Sequence, residues 1–289
     1  MQNAKLQTIG VSPAYLLSRF GESFQIQDVT ASLQEIAALG YTAFQMEAFT
    51  ATAAEGWNGK ALKHLADRAG QLSLRPSQFV AHWYGETLSS IARLRSRQSL
   101  ELLRRVVNAV VAQTSVPVVT LPLLPFKEQN ARFDEAWKAL VESIAAAAEV
   151  VAAAGAAPAL EIVPGSLAGS SFGFLRLVEE IPDIDIGFTL DSGHANAAGE
   201  IIPHVIARIG PRLIGTHLCD NLGTENLSNC PGSGSISWEA TIAGLLEIGY
   251  AGSFDIEILC EKHKLKSEYS QGLQFIRSIL KQMAYRSTA

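Results

Sequence analysis

Residues 35–49 read EIAALGYTAFQMEAF, and residues 245–259 read LLEIGYAGSFDIEIL. Both stretches leave a helix, turn at Gly-Tyr, enter a short apolar strand and carry a glutamate near its end, Glu47 in one and Glu257 in the other. A helix–turn–strand unit repeated near the two ends of a chain predicts the same unit between them. Short apolar runs do alternate with longer helical patterns. The strand candidates are LQTIGVS (6–12), TAFQMEAF (42–49), SQFVAHW (77–83), VPVVTLPLL (116–124), PALEIVP (158–164), DIGFTLD (185–191), LIGTHLCD (213–220) and SFDIEIL (253–259). Helical spacing covers 29–39, 60–72, 87–113, 131–154, 172–181, 200–209, 237–248 and 267–285. Glycines at 40, 155, 210 and 249 stand where those helices end, as the left-handed closing residue of a helix requires.

Strands that are apolar throughout, rather than alternating, belong in a parallel sheet covered by helices. Eight strand–helix units in one run, with no linker or shift in composition, predict a single (β/α)8 TIM barrel domain, parallel and eight-stranded, over residues 1–289. A doubly wound open sheet is the alternative. It brings a glycine-rich phosphate loop after its first strand, and GVSPAYLLSRF (10–20) is not one.

The composition, 289 residues with 48% hydrophobic, is ample for a large core and by itself fits one big α/β barrel as well as two smaller domains. A net charge of −5 without a basic run argues against nucleic acid as a partner. The three cysteines, Cys219, Cys230 and Cys260, match no zinc spacing and read as reduced thiols, buried as small hydrophobes. The start, MQNAKLQTIG, lacks the layout of a signal peptide, and no apolar stretch is long enough to span a membrane. A cytoplasmic protein, free of the membrane, is the expectation. A homo-oligomer is left open.

In such a barrel the C-terminal ends of the strands form the active site. Glu47, His82, Glu161, Asp191 with His194, His217 with Asp220, and Glu257 all interrupt or end apolar runs there. A carboxylate isolated in such a place is costly unless a cation or hydrogen bonds meet it. The candidate strands hold no Lys or Arg, so a divalent metal shared by Glu161, Asp191, His217 and Glu257 is the expected source of charge. Three carboxylates and an imidazole form a mostly hard set. They suit Mn²⁺, Mg²⁺ or Co²⁺, with Zn²⁺ possible. His194, His82 and Glu47 are the candidate substrate contacts. Each also has a structural reading: a turn histidine, a packed histidine and an outer buried acid. Asp220 is expected to hydrogen-bond near His217 and fix its ring.

The stretches LEIVPGS (160–166), LDSGHANAAG (190–199), THLCDN (216–221), PGSGSISW (231–238) and FDIEIL (254–259), in this order, resemble the xylose isomerase-like (AP endonuclease family 2) barrels. That family includes sugar epimerases, hydroxypyruvate isomerase and inosose-processing enzymes. The resemblance runs through the whole chain. It implies metal ligation by Glu161, Asp191, His217 and Glu257, a substrate-oxygen contact by His194, and Glu161 and Glu257 as an acid/base pair across the substrate. It implies a metal-dependent isomerase or epimerase of a sugar, keto-sugar or cyclitol. The reaction removes a proton next to a metal-chelated carbonyl and passes through an enediolate. A metal-dependent dehydratase of a keto-cyclitol or dehydroshikimate-like substrate would use the same site, and a non-catalytic binding barrel would keep it.

Two departures bear on the chemistry. Relatives often read His-x-x-Pro-Gly where this chain has Ser228-Asn229-Cys230-Pro231-Gly232, and the arginine that ketose 3-epimerases carry after the strand-seven histidine has no counterpart in Asn221-Leu222-Gly223-Thr224. A DNA-repair endonuclease would need further metal-binding histidines. Strand four ends TLPLLPF without one, and the Asp-x-His position reads Asn226-Leu227-Ser228.

Overall fold

The computed structural model describes residues 7–286 apart from 97 and 129. Among these, eight strands form one parallel sheet: β1 Ile9–Val11, β2 Ala43–Glu47, β3 Arg75–Val80, β4 Val118–Leu123, β5 Ala157–Ile162, β6 Gly187–Asp191, β7 Leu213–His217 and β8 Phe254–Ile256. Their order is β7-β6-β5-β4-β3-β2-β1-β8, each beside its neighbour in sequence. The sheet closes between β7 and β8. Leu218 N–H donates to the Asp255 carbonyl at 2.7 Å, and Glu257 N–H donates to the Leu218 carbonyl at 2.9 Å. One rung of that seam is made by a side chain: the Thr216 hydroxyl donates to the Ser253 carbonyl (2.9 Å) and accepts from Asp255 N–H (3.1 Å). The expected eight-stranded parallel barrel is therefore what forms.

The Gly-Tyr repeat of 35–49 and 245–259 is visible as structure. The helix Ile26–Leu39 begins at a reciprocal cap between Gln25 and Asp28 and ends at Gly40, whose N–H donates to the Ala37 carbonyl at 2.9 Å and whose φ of 96° turns the chain so that Tyr41 N–H reaches the Ile36 carbonyl at 3.4 Å. Every residue of β2 is then buried. At the other end the helix Trp238–Glu247 is followed by Gly249 at φ 72°, and then β8, also fully buried. Apolar faces of the surrounding helices, such as Leu62, Leu65, Val106, Val110, Leu140 and Ile144, pack on the outside of the sheet as one continuous core.

Several expected boundaries move. β3 begins at Arg75, two residues before the expected start, so one strand does contain a basic residue. Arg75 is exposed at the N-terminal mouth and donates to Thr8 Oγ1 at 3.0 Å, away from the carboxylates. His82 stands past the end of β3, in the short turn of helix His82–Gly85. The expected helix over 87–113 is broken into Thr87–Ser89, Ile91–Leu94 and Gln98–Thr114, with extended backbone at Ser90. Leu6, the expected start of strand one, lies outside the described residues. Among the described residues, no helix is long and apolar enough to cross a membrane.

The barrel interior is polar rather than branched aliphatic. Gln45, Gln78, Thr120, Thr189 and Asp255 are all buried. Gln78 Oε1 accepts from Thr120 Oγ1 (2.7 Å) and Thr189 Oγ1 (3.0 Å). Asp255 Oδ2 accepts from Gln45 Nε2 (2.7 Å) and Ser77 Oγ (2.8 Å). A buried polar layer is stable when its members satisfy one another, and here they do so except at Asp255 Oδ1, which is buried without a partner. This layer forms a floor beneath the C-terminal mouth.

Candidate metal and catalytic site

Strand periodicity builds the site. Side chains two apart share a face, so Gln45 with Glu47, Thr189 with Asp191, Gly215 with His217 and Asp255 with Glu257 all point inward. In each pair the second residue lies nearer the C-terminal end. The mouth thereby gathers Glu47, Glu161, Asp191, His217 and Glu257. The first four are almost fully buried, and Glu257 keeps 15% of its side chain exposed.

His217 is the hub. Its Nδ1 lies 2.8 Å from Glu161 Oε1 and 3.5 Å from Glu257 Oε2. Its Nε2 meets Gln45 Oε1 at 2.9 Å. Asp191 caps the helix Ser192–Ala197: its Oδ1 accepts the His194 N–H at 2.8 Å, and the Cys219 thiol donates to the same oxygen at 3.4 Å. The other oxygen, Oδ2, is buried without a hydrogen bond and faces His194 Nε2 at 3.4 Å. The stretch TLDSGH (189–194) is therefore a helix cap and a site at once. Gly193 makes the fit possible, since a Cβ there would come within 2.2 Å of Asn226 Oδ1 and 2.6 Å of Cys219 Sγ.

The electrostatics divide the carboxylates. Burial pushes Glu161 up, but the charge and hydrogen bond of His217 outweigh it and hold Glu161 well below the usual carboxylate range. Burial, with repulsion from Asp191, pushes Glu257 up to about 7. Burial raises Glu47 well above its ordinary value, which makes it a neutral acid. Burial disfavours charge on His217, yet Glu161 and Glu257 lift it to about 10. His194 is raised against its own burial chiefly by Asp191.

The donor set fits a divalent cation. Ligand atoms of Asp191, His217 and Glu257 lie within 4.8 Å of one another, and so do those of Glu161, Asp191 and His194. Asp191 Oδ2 is buried without a hydrogen-bond partner. Unpaired buried carboxylate oxygens are expensive and want a cation. Among the described residues, no Lys or Arg lies within ion-pair distance of Glu161, Asp191 or Glu257, which pair only with histidines.

His82 lies beside this cluster rather than in it. Its ring stacks on Phe49 at 3.9 Å, its Nδ1 meets the Phe49 carbonyl at 3.3 Å, and it lines a cavity of about 520 Å³ with Phe49, Trp83, Glu86 and Arg93. Burial lowers its pKa, so it stands there as neutral imidazole.

Two expectations need correction. Asp220 does not orient His217. It lies three residues on, an odd step that turns it to the other side of the chain. Its carboxylate accepts from Gly232 N–H (3.0 Å), Ile236 N–H (3.3 Å) and Trp238 Nε1 (2.8 Å), pinning the loop after β7. Cys219 and Cys230 are buried free thiols as expected, but Cys260 is only half-buried; the Cys219 thiol also touches Asp191, and burial raises its pKa well above the ordinary value.

Three further residues join the site: Gln45, not singled out in the sequence, and Asn226 and Ser228, singled out there only as departures from related motifs. Gln45 was legible as a polar side chain two before Glu47 in an apolar strand. Asn226 Nδ2 lies 3.0 Å from His194 Nδ1. Ser228, at φ 43°, donates its hydroxyl to Glu257 Oε1 at 3.2 Å. Both come from a loop whose path no periodicity reveals.

The family model for the xylose isomerase-like TIM barrel matches residues 33–279, and the chain belongs to that family. A protein of Methanocaldococcus jannaschii described as uncharacterised is 36% identical over 100 residues, 34% of this chain and 32% of that one. A protein of Sinorhizobium fredii, also described as uncharacterised, is 28% identical over 111 residues, 38% of this chain and 36% of that one. The matched stretch thus spans about a third of the length of these curated relatives. The fold is similar to that of D-psicose 3-epimerase from Clostridium cellulolyticum H10 (TM-score 0.78, 18% identity, 94% of this chain and 99% of that chain). It is also similar to that of 3-keto-D-glucoside 4-epimerase from E. coli (TM-score 0.75, 15% identity, 94% and 99%).

Proposed function

We propose that this member of the xylose isomerase-like family is a divalent-metal-dependent isomerase or epimerase of a keto-sugar or cyclitol. The observation that carries the reading is the convergence of Glu161 and Glu257 on His217 Nδ1, at 2.8 and 3.5 Å, beside the unpaired Asp191 Oδ2. Such a set suits a cation that polarises a carbonyl, with two carboxyl groups at hand to move a proton. Fold similarity to sugar epimerases supports the substrate class.

Glu161, Asp191, His217 and Glu257 would hold the cation, which would polarise a carbonyl and balance the negative charge that develops on its oxygen. The protein's own groups do the rest. Glu161 is the carboxylate able to take a proton from the carbon beside the carbonyl. Glu257 is the acid able to return one. His194, with Nδ1 met by the Asn226 amide, presents Nε2–H to a substrate oxygen. Glu47, neutral, offers a hydroxyl donor at the inner wall. Return of the proton to the opposite face inverts the carbon, and return to the neighbouring carbon moves the carbonyl.

The test is hydrogen exchange. Purified protein loaded with Mn²⁺ is incubated in deuterated water with a panel of ketoses and cyclitol ketones and followed by NMR. Deuterium enters at the carbon beside the carbonyl, and removal of the metal with EDTA stops it. No exchange with any member of the panel counts against the reading, and loss of water with formation of an enone would reassign the protein as a dehydratase.

A further inference from the structure

We infer that Gln45 sets which nitrogen of His217 faces the carboxylates, and that the buried Asp255 and the Thr216 carbonyl fix Gln45 for this role. The inference rests on the reading of His217 as a metal ligand.

The amide can be oriented from its neighbours. Gln45 is 2% exposed and sits in the barrel floor, one pleat below Glu47. One end lies 2.7 Å from Asp255 Oδ2 and 3.2 Å from the Thr216 carbonyl oxygen. A carbonyl oxygen only accepts, so this end is the NH₂ group. The other end, Oε1, is 2.9 Å from His217 Nε2. An amide oxygen also only accepts, so Nε2 of His217 carries hydrogen. Nδ1 is then the nitrogen left to face Glu161 at 2.8 Å and, once deprotonated, to ligate.

Metal-binding histidines are commonly held by an outer carboxylate or carbonyl. Here an amide stands between the imidazole and the carboxylate. Asp255 therefore anchors the ring without adding another negative charge beside it. Thr216 can spare its carbonyl because its hydroxyl serves the β7–β8 seam. The two repeats converge on this contact. In Phe44-Gln45-Met46-Glu47 and Phe254-Asp255-Ile256-Glu257 the residues beneath the two glutamates, Gln45 and Asp255, bond to each other. Gln45 is a positioning residue, since it acts through His217.

The test reads the ring directly. In ¹⁵N-histidine-labelled wild-type protein loaded with Zn²⁺, NMR should show His217 Nε2 bearing a slowly exchanging proton and Nδ1 shifted by the metal. A proton on Nδ1 overturns the inference. Gln45→Met removes the acceptor at similar length. It should weaken Mn²⁺ binding, measured by calorimetry, about 10–100-fold and speed exchange of the Nε2 proton. Gln45→Glu keeps the acceptor toward Nε2 but loses the NH₂ held by Asp255 and the Thr216 carbonyl, so it should recover part of the affinity lost in Gln45→Met and stay weaker than wild type. A purely structural residue would lower the melting temperature and leave both readouts unchanged, which overturns the inference. Should Gln45→Met fail to fold, the wild-type spectrum and Gln45→Glu decide. If the wild type binds neither Mn²⁺ nor Zn²⁺, the metal reading fails and takes this one with it. Tight wild-type binding that Gln45→Met leaves intact removes the positioning role alone.

Discussion

Glu257→Gln should make the protein more stable and nearly inactive, and the two effects have one origin. The carboxyl lies in a cluster with Asp191, Glu161 and Glu47, and burial with the Asp191 charge raises it from 4.5 to about 7. A folded-state value above the unfolded one means the folded protein resists ionisation of this group. The penalty is absent well below pH 4.5, grows between 4.5 and 7, and is complete above 7. At its full extent it costs the folded state about 3 kcal/mol. Glutamine keeps the size and never ionises. In EDTA-treated protein the variant should therefore melt with the wild type at pH 4 and about 5 °C above it at pH 9, given the unfolding entropy of a chain this long. Differential scanning calorimetry at both pH values reads this. In Mn²⁺-loaded protein the same variant loses a ligand and the proton-returning acid. Its deuterium exchange into a responsive ketose should fall about 10²–10⁴-fold. Equal melting temperatures at pH 9 would refute the account of Glu257 as an acid under electrostatic strain. A wild-type exchange rate in the variant would remove it from the chemistry.

Two further outcomes are expected. Metal binding should tighten with pH, because His217, raised to about 10, and Glu257, raised to about 7, must lose protons to ligate. Mn²⁺ affinity should rise about tenfold per pH unit between 7 and 9 and more steeply below 7. Titrations in buffers of different ionisation enthalpy measure the protons released, and a pH-independent affinity would contradict the ligand set. Gly215→Ala would place a Cβ 2.4 Å from Gln78 Oε1 and 2.6 Å from Thr189 Oγ1, inside the polar floor. Overpacking there should cost about 2–3 kcal/mol in urea unfolding, and an unchanged midpoint would mean that the floor yields without strain.

How far the residues could be read in advance follows from distance along the chain. The parallel barrel was legible because Val118–Leu123, Gly187–Asp191 and, past its exposed first residue, Ala157–Ile162 are buried on both faces and read as mainly apolar runs. Glu161, Asp191, His217 and Glu257 were legible for the same reason: each is a charge where an apolar strand should continue, and the period of two assigns it a face. The break at Ser90 was not legible, because helical spacing persists across it. Asp220 was misread because proximity in sequence to His217 suggested contact, while the odd step and the pull of Trp238 and two loop amides turned it away.

The sequence by itself determined which side chains enter the barrel and at which end, because alternation along a strand is local geometry. Only the tertiary structure decided what each one meets there. His217 finds Gln45 across 172 residues and Glu161 across 56, and Glu257 finds Ser228 on a loop. Those meetings depend on closure of the sheet at the Thr216 seam and on the path of the loop after β7. Closure brings strands together by their stagger around the ring, a property of the whole sheet that no single stretch of chain contains.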